Sequence, residues 1–279
     1  MLYLYRPKVS EGARLLEDAL NDAGTPARFT QGGLLRDRFR AGRDKLICWG
    51  SYYEAQPGLN NVIQVPKAIE AQTLKWANVR TVEISPTRPV TGPAVRPDFI
   101  LDTNTTRFDE AGSQALLARL QAHLAAPLAP AAEWLPRRNN HVGGSDLLNR
   151  TVNADFYSKK EDIREEYRLH IFRGKSIRAG VKVPRENDEN GNPITPHAWI
   201  RSFDGGWRIQ YDGFKSNKQQ RSLAASAVGA LGLDFGAVDL GLLASGEYIV
   251  LEVNRAPGIE GGSVEAYVGA IQNWLNGGE

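Results

Sequence analysis

Leu2, Tyr3, Leu4 and Tyr5 form an unbroken apolar run, and apolar residues then recur at Leu15, Leu16, Ala19 and Leu20. The first run predicts a buried strand. The second has helical spacing and predicts a helix over residues 11–23, ended by Gly24. The apolar run Leu46, Ile47, Cys48 and Trp49 predicts a second strand at 45–49, closed by Gly50 and Ser51. Strand, helix and strand joined by short connections predict an open α/β layer. A helix is expected at 69–76 and a strand at 79–84, stopped by Ser85 and Pro86. Pro86, Pro89, Pro93 and Pro97 then mark a boundary segment. An amphipathic helix is predicted at 110–124, with an Ala/Pro-rich connection over 125–136.

The second half has a different pattern. Strands are predicted at 167–172 and 176–183, joined at Arg173-Gly174-Lys175, and a polar loop follows at 186–196. Segments 199–203 and 207–211 flank Asp204-Gly205-Gly206 and predict a hairpin. An alanine-rich helix is expected at 218–231. A last hairpin pairs 235–243 with 247–254 around Ser245-Gly246. This half is mostly antiparallel, so the fold class is α+β with an α/β first layer. No internal repeat and no long low-complexity tract interrupts it.

The 279 residues, 42% apolar and 24% charged, are enough for a substantial core and exclude a disordered or fibrous chain. Cys48 is the single cysteine, which excludes a disulfide framework and any multi-cysteine metal site. Its apolar neighbours make it a small buried hydrophobe. No apolar stretch approaches about 18 residues, and Met1 opens no signal-peptide pattern, so a cytoplasmic protein is expected. The net charge is +2, yet 24 of the 34 basic residues are arginine. A GC-rich genome produces that bias by itself, although arginine is also the better group for bidentate contacts to phosphate and carboxylate. Arg36, Arg38, Arg40 and Arg43 read as a solvated face that would also steer an anion.

The chemistry concentrates in the last hairpin. Asp239 and Glu252 are symmetric about the point between Ser245 and Gly246, so a turn centred there sets them face to face, with Cβ atoms ~5 Å apart. Val238, Leu240, Leu251 and Val253 beside them are apolar. Opposed like charges destabilise a strand pair unless something positive lies between them. Asn254 shares their face. Two carboxylates and a neutral oxygen suit Mg²⁺ that also binds substrate phosphates. The alternative is a pair of surface acids. The stop at Arg255-Ala256-Pro257-Gly258 argues for the metal. Glu166, Arg168 and His170 share one strand face, opposite Tyr167, Leu169 and Ile171, which aims the polar set at a cleft or at water. Asn139-Asn140-His141-Val142-Gly143-Gly144-Ser145 follows Arg137-Arg138, where paired glycines let amides approach an anion. Taken singly, these two are ordinary strand and turn patterns.

Together these residues resemble the ATP-grasp superfamily of ATP-dependent ligases, in particular its RimK-like and phage-encoded members. The resemblance is strongest over residues 231–271, with Leu231-Gly-Leu-Asp-Phe-Gly-Ala-Val-Asp239 and Val250-Leu-Glu-Val-Asn-Arg-Ala-Pro-Gly258 in order and spacing. It is similar to the family from about residue 133 onward, and before that in element order. It implies an ATP-grasp fold with an α/β pre-grasp domain at 1–85, a central subdomain with a glycine-rich lid at 86–155, and a C-terminal subdomain with the metal ligands at 156–279, the two subdomains enclosing ATP. It further implies that Asp239, Glu252 and Asn254 hold Mg²⁺, and that Arg168 meets the terminal phosphate or the acyl-phosphate. Arg201 would join it there, and Arg255 would read an anionic substrate. Tyr157 and Lys159 fall in the adenine hinge, and Asn140, His141, Gly143 and Gly144 in the lid. Glu166 and Lys182 would lie near the nucleotide. Arg137 stands where many members have a phosphate-binding lysine.

The function so implied is a carboxylate–amine ligase. It would form an acyl-phosphate, release ADP and phosphate, and act on small-molecule, peptide or protein substrates. The alternative is an ATP-grasp enzyme acting on nucleic acid, by base modification or by activating and joining an RNA or DNA end. The arginine excess motivates that alternative, while the absence of a basic stripe with interleaved aromatics opposes it. No membrane partner is expected.

Overall fold

A computed structural model describes residues 1–6, 10–30, 35, 39–40, 42–51, 53, 58–63, 65–87, 94–95, 129–130, 134–139, 154–259 and 262–278. The helix expected at 110–124, most of the connection after it, and Asn140, His141, Gly143, Gly144, Arg36 and Arg38 lie outside the described residues.

The first layer is a parallel sheet. Strand β1 (Leu2–Tyr5) runs between β2 (Ala27–Thr30) and β3 (Lys45–Cys48). Helix α1 (Glu11–Asp22) starts at Ser10, whose hydroxyl accepts from the Ala13 amide at 3.3 Å. That cap satisfies one of the donors that every helix start leaves orphaned. The helix buries Ala13, Leu16 and Leu20, so its apolar stripe is rotated from the expected one and Leu15 is exposed. Gly24 adopts φ +74°, and Thr25 N–H donates back to the Leu20 carbonyl at 2.8 Å, which ends the helix as expected. Strand β2 had no sequence signal. Only its end residues Ala27 and Thr30 are buried, and pairing with β1 makes it a strand.

Helix α2 (Lys67–Trp76) begins two residues earlier than expected. Of the strand expected at 79–84, only β4 (Ile84–Ser85) forms, while Thr81 makes one bridge to Val250. The short strands β5 (Ala94–Val95) and β6 (Ala129–Pro130) pair with each other. Strands β7 (Trp134–Arg137) and β8 (Phe156–Lys159) join β4 in the order β4-β8-β7.

A five-stranded antiparallel sheet dominates the second half. It comprises β9 (Ile163–Phe172), β10 (Lys175–Pro184), β11 (Trp207–Gln210), β12 (Phe235–Leu243) and β13 (Tyr248–Asn254), in the order β11-β10-β9-β12-β13. The hairpin expected over 199–211 is half formed. Strand β11 pairs with β10, whereas 199–203 is irregular and tied down by Trp207 N–H to the Ser202 carbonyl at 3.0 Å. Helix α3 (Lys218–Ala230) opens with a reciprocal Asn217–Gln220 capping box and covers one face of this sheet. Its Ala224, Ala227 and Val228 pack on Tyr167, Leu169, Ile171, Val238 and Val250. Helix α4 (Ser263–Leu275) packs on α1. No helix among the described residues is long and apolar enough to cross a membrane.

One core joins the first layer to this sheet. Trp49 lies 5.2 Å from the Phe235 ring and 5.5 Å, edge-on, from Tyr267, among Leu4, Leu16 and Ile271. A polar pin sits beside it. Asn60 accepts at Oδ1 from the amides of Asp234 and Phe235 and donates from Nδ2 to the Phe235 carbonyl, while its own N–H donates to Asp234, all between 2.7 and 2.9 Å. It is buried and holds φ +55°. Asn60→Ala is expected to cost about 2–4 kcal/mol, because it orphans buried donors and loses a side chain that tolerates this backbone region. Equilibrium urea unfolding checks this, and a loss below about 1 kcal/mol would show that the pin carries little.

Candidate functional site

Strand alternation and register put six predicted residues on one face of the large sheet. Arg168, Asp239 and Glu252 form a row across β9, β12 and β13. One row to one side, Glu166 lies across from Lys182. One row to the other, Arg178, His170, Ala237 and Asn254 follow in line. The opposition of Asp239 and Glu252 is as expected, though the route to it differs. The turn holds three residues, with Leu243 N–H donating to the Glu247 carbonyl at 2.8 Å, and a bulge after Asp239 then shifts the pairing back by one.

The two carboxylates meet cations from opposite directions. Arg168 grips Asp239 bidentately, Nε to Oδ1 at 2.7 Å and Nη2 to Oδ2 at 2.8 Å. Lys182 Nζ lies 3.3 Å from Asp239 and 2.8 Å from Glu166. Glu252 is met by Lys67, whose Nζ also reaches Glu70 at 3.2 Å and the Val253 carbonyl at 3.0 Å. Arg255 continues that chain, donating to Glu70 at 2.9 Å and to the Ile63 carbonyl at 3.1 Å.

This packing sets the protonation states. Burial by itself would raise the Asp239 carboxyl, but Arg168 and Lys182 outweigh it and hold it well below the usual carboxylate range. Burial would likewise lower the Lys182 and Lys67 ammoniums. Asp239 and Glu166 reverse that at Lys182, as Glu252 and Glu70 do at Lys67, and both lysines stay charged. His170 departs from expectation. It faces neither cleft nor water but is fully buried, 3.0 Å from the Tyr211 hydroxyl and 3.4 Å from that of Tyr267. Burial and the neighbouring Arg168 push it down to about 3, so it is neutral.

A cleft separates this sheet from the β4-β8-β7 sheet. Lys67, Glu70, Leu74, Arg137, Phe156, Ser158, Leu251 and Glu252 are among the residues lining it. Phe156 and Ser158 are the buried residues of β8, so alternation turns the expected Tyr157 and Lys159 to the other face, where Lys159 lies 3.8 Å from both Glu83 and Glu161. Arg201 donates to the carbonyls of Ile163 and Arg164 and stacks 5.0 Å over Trp207. Both Arg201 and Arg255 therefore have protein partners in this structure. Gly50, at φ +67°, lies so close to the 255–258 stop that a Cβ there would fall 2.5 Å from the Ala256 methyl.

The reading of the sequence missed Lys67 and Glu70. Both are on α2 and reach partners more than 180 residues away. Among the described residues no group of three or more His, Cys, Asp or Glu gathers to hold a metal. Asp239, Glu252 and Asn254, the ligands expected from the sequence, stand on adjacent rows of one sheet face and offer hard oxygens. Two carboxylates completed by phosphate oxygens and water fit Mg²⁺.

The sequence matches no protein-family model and no curated protein. Solved structures do match. The D-alanine–D-alanine ligase from Bacillus anthracis aligns over 99% of this chain and 97% of its own, with a TM-score of 0.57 and 14% identity. D-cycloserine synthetase DcsG aligns over 98% and 99%, at 0.52 and 16%. The ATP-grasp ligase PsnB, complexed with a phosphomimetic precursor variant, Mg and ADP, aligns over 97% and 98%, at 0.51 and 12%. The chain has the ATP-grasp fold.

Proposed function

We propose that this chain is an ATP-dependent ligase that joins a carboxylate to an amine, with ATP and Mg²⁺ in the cleft between the two antiparallel sheets. The observation that carries the reading is the row Arg168–Asp239–Glu252, whose Glu252 lines that cleft together with its ion-pair partner Lys67. The domain limits at 1–85, 86–155 and 156–279 belong to the same proposal. The named neighbours, ligases and synthetases of amino acids and peptide precursors, agree with it. The nucleic-acid alternative gains no support from them.

A substrate carboxylate oxygen would attack the γ-phosphorus as the bond to the bridging oxygen breaks, and ADP leaves with that electron pair. An amine would then attack the acyl carbon and expel phosphate, its surplus proton passing to the departing phosphate or to water. Bound Mg²⁺, held by Asp239, Glu252 and Asn254, supplies charge neutralisation on the phosphate oxygens. Lys67 and Arg137 line the cleft as phosphate-binding cations, and Phe156 and Ser158 take the base-facing role expected of Tyr157 and Lys159. Arg168, once released from one of its two bonds to Asp239, neutralises the transferring group, while Lys182 keeps Asp239 and Glu166 in place. Arg201 and Arg255 hold the surrounding loops in this resting arrangement.

Calorimetric titration with ATP, with and without Mg²⁺, tests binding, and ADP release with carboxylate–amine pairs tests turnover. Mg²⁺-dependent binding is expected, with sustained ADP release only when both substrates are present. ADP release that requires nucleic acid would overturn the amine reading. Lys67→Met should weaken ATP about 10- to 100-fold, because a charge-assisted contact to phosphate is lost. Its melting temperature should change little, since Glu252 remains partly solvated and Glu70 keeps Arg255. Unchanged ATP affinity would remove Lys67 from the site.

A further inference from the structure

The carboxylates assigned to Mg²⁺ are held by cations of the chain itself, which fall into two sets. On β12, Asp239 pairs with Arg168 and Lys182, and Lys182 also pairs with Glu166. On β13, Glu252 pairs with Lys67, Lys67 with Glu70, and Glu70 with Arg255. Each set joins two carboxylates to two cations, so among the described residues each is neutral as a whole. A divalent ion added by itself leaves two positive charges that neither set offsets. A nucleotide triphosphate brings more negative charge than one divalent ion carries, so the two entering together are met by cations already in place.

The two sets are not equally able to give way. Asp239 is buried, and Arg168 holds both of its oxygens, at 2.7 and 2.8 Å. Lys67 is looser. It is the first residue of α2, its side chain is 24% exposed, and it lines the same cleft as Arg137. Its Nζ lies among three oxygens, 3.0 Å from Glu252, 3.0 Å from the Val253 carbonyl and 3.2 Å from Glu70. These are the hard donors that a metal cation would also take. The ammonium thus stands as the counter-ion of Glu252. Its flexible stem can swing along the cleft while α2 stays in place, because Glu70 keeps its 2.9 Å bond from the buried Arg255.

Resting on the assignment of Asp239, Glu252 and Asn254 to Mg²⁺, we infer that Lys67 is an exchangeable internal counter-ion. It keeps Glu252 from taking a divalent ion alone, and it yields Glu252 when nucleotide phosphates draw the ammonium away. One residue therefore acts with opposite sign on the two ligands. It strengthens nucleotide binding and weakens binding of free metal, because an ammonium attracts phosphate and repels a divalent ion beside it. The site takes its metal with the nucleotide rather than before it.

The test reads metal binding without turnover. The full chain is titrated with Mn²⁺ and no nucleotide, and the free ion is followed by electron paramagnetic resonance. Mn²⁺ takes the same hard oxygen ligands as Mg²⁺. Lys67→Met should bind Mn²⁺ at least about tenfold more tightly than wild type. Lys67→Arg keeps the charge and should stay close to wild type. Adding Glu252→Gln to Lys67→Met should erase the gain, which places the ion at that carboxylate. A lysine that merely braced α2 would produce no gain on removal. Should Lys67→Met misfold, Lys67→Gln carries the same comparison. Equal Mn²⁺ affinity in wild type and the folded variant, no binding to either, or a gain that survives Glu252→Gln would overturn the inference. Mg²⁺-dependent ATP binding beside any of those results leaves the ligase reading standing. ATP binding indifferent to Mg²⁺ would sink the metal assignment itself, and the inference with it.

Discussion

Glu252→Gln is expected to lower kcat by roughly three orders of magnitude or more while leaving the fold intact. The substitution keeps the size of the side chain and one oxygen, so Lys67 retains a hydrogen-bond acceptor there and its second carboxylate, Glu70. What disappears is half of the negative charge opposed across β12 and β13. Charge neutralisation on transferring phosphate amounts to several kcal/mol, and each 1.4 kcal/mol is a factor of ten in rate. Glu252 is 29% exposed, so its ion pair with Lys67 is solvent-screened and contributes at most about 1 kcal/mol to stability. Melting temperature should therefore fall by no more than about 2–4 °C. Initial rates of ADP release and a thermal scan on the same preparation decide it. Full activity in a folded variant would remove Glu252 from the metal site.

Arg168→Ala should lose both activity and stability, because the structure gives this guanidinium two duties. Strand alternation alone aims this side chain at a cleft or at water. It instead grips buried Asp239 with two bonds. Removing one partner of a buried pair leaves a stranded charge, and with Lys182 still 3.3 Å away the expected cost is about 3 kcal/mol. Its kcat should fall by roughly three orders of magnitude. Arg168→Lys keeps the charge and loses the fork, so it should recover much of the melting temperature and little of kcat. A lysine variant with normal kcat would show the residue to be structural only.

Acid separates the two duties further. The folded Asp239 carboxyl is depressed, so its contribution is full above the unfolded carboxylate range and drains away as pH falls through the folded value. The melting difference between wild type and Arg168→Ala should therefore be largest near neutrality and narrow towards about pH 2. A difference that widened in acid would contradict the pairing.

Local order alone placed most of the site face. The alternation from Glu166 to Ile171 puts Arg168 on the polar side of β9, because a strand has period two whatever covers it. The opposition of Asp239 and Glu252 follows from two apolar runs joined by a short turn. It survives although the turn is three residues and the strand is bulged, since the two irregularities cancel. The first layer of β1, α1 and β3 was legible for the same reason, while β2 was not, because only its ends are buried. The phase of 156–159 was not legible either. Both faces of that strand carry polar and aromatic residues, and only burial between two sheets selects Phe156 and Ser158 for the cleft. Lys67, Glu70 and Asn60 lie beyond any local signal. A lysine opening a helix reads as solvated until the chain returns 185 residues later with Glu252. Tertiary structure likewise turned His170 from a cleft residue into a neutral core group, by bringing Tyr211 and Tyr267 over it. Spacing is written in neighbouring residues, and the partner of each charge is chosen by contacts that only the folded chain makes.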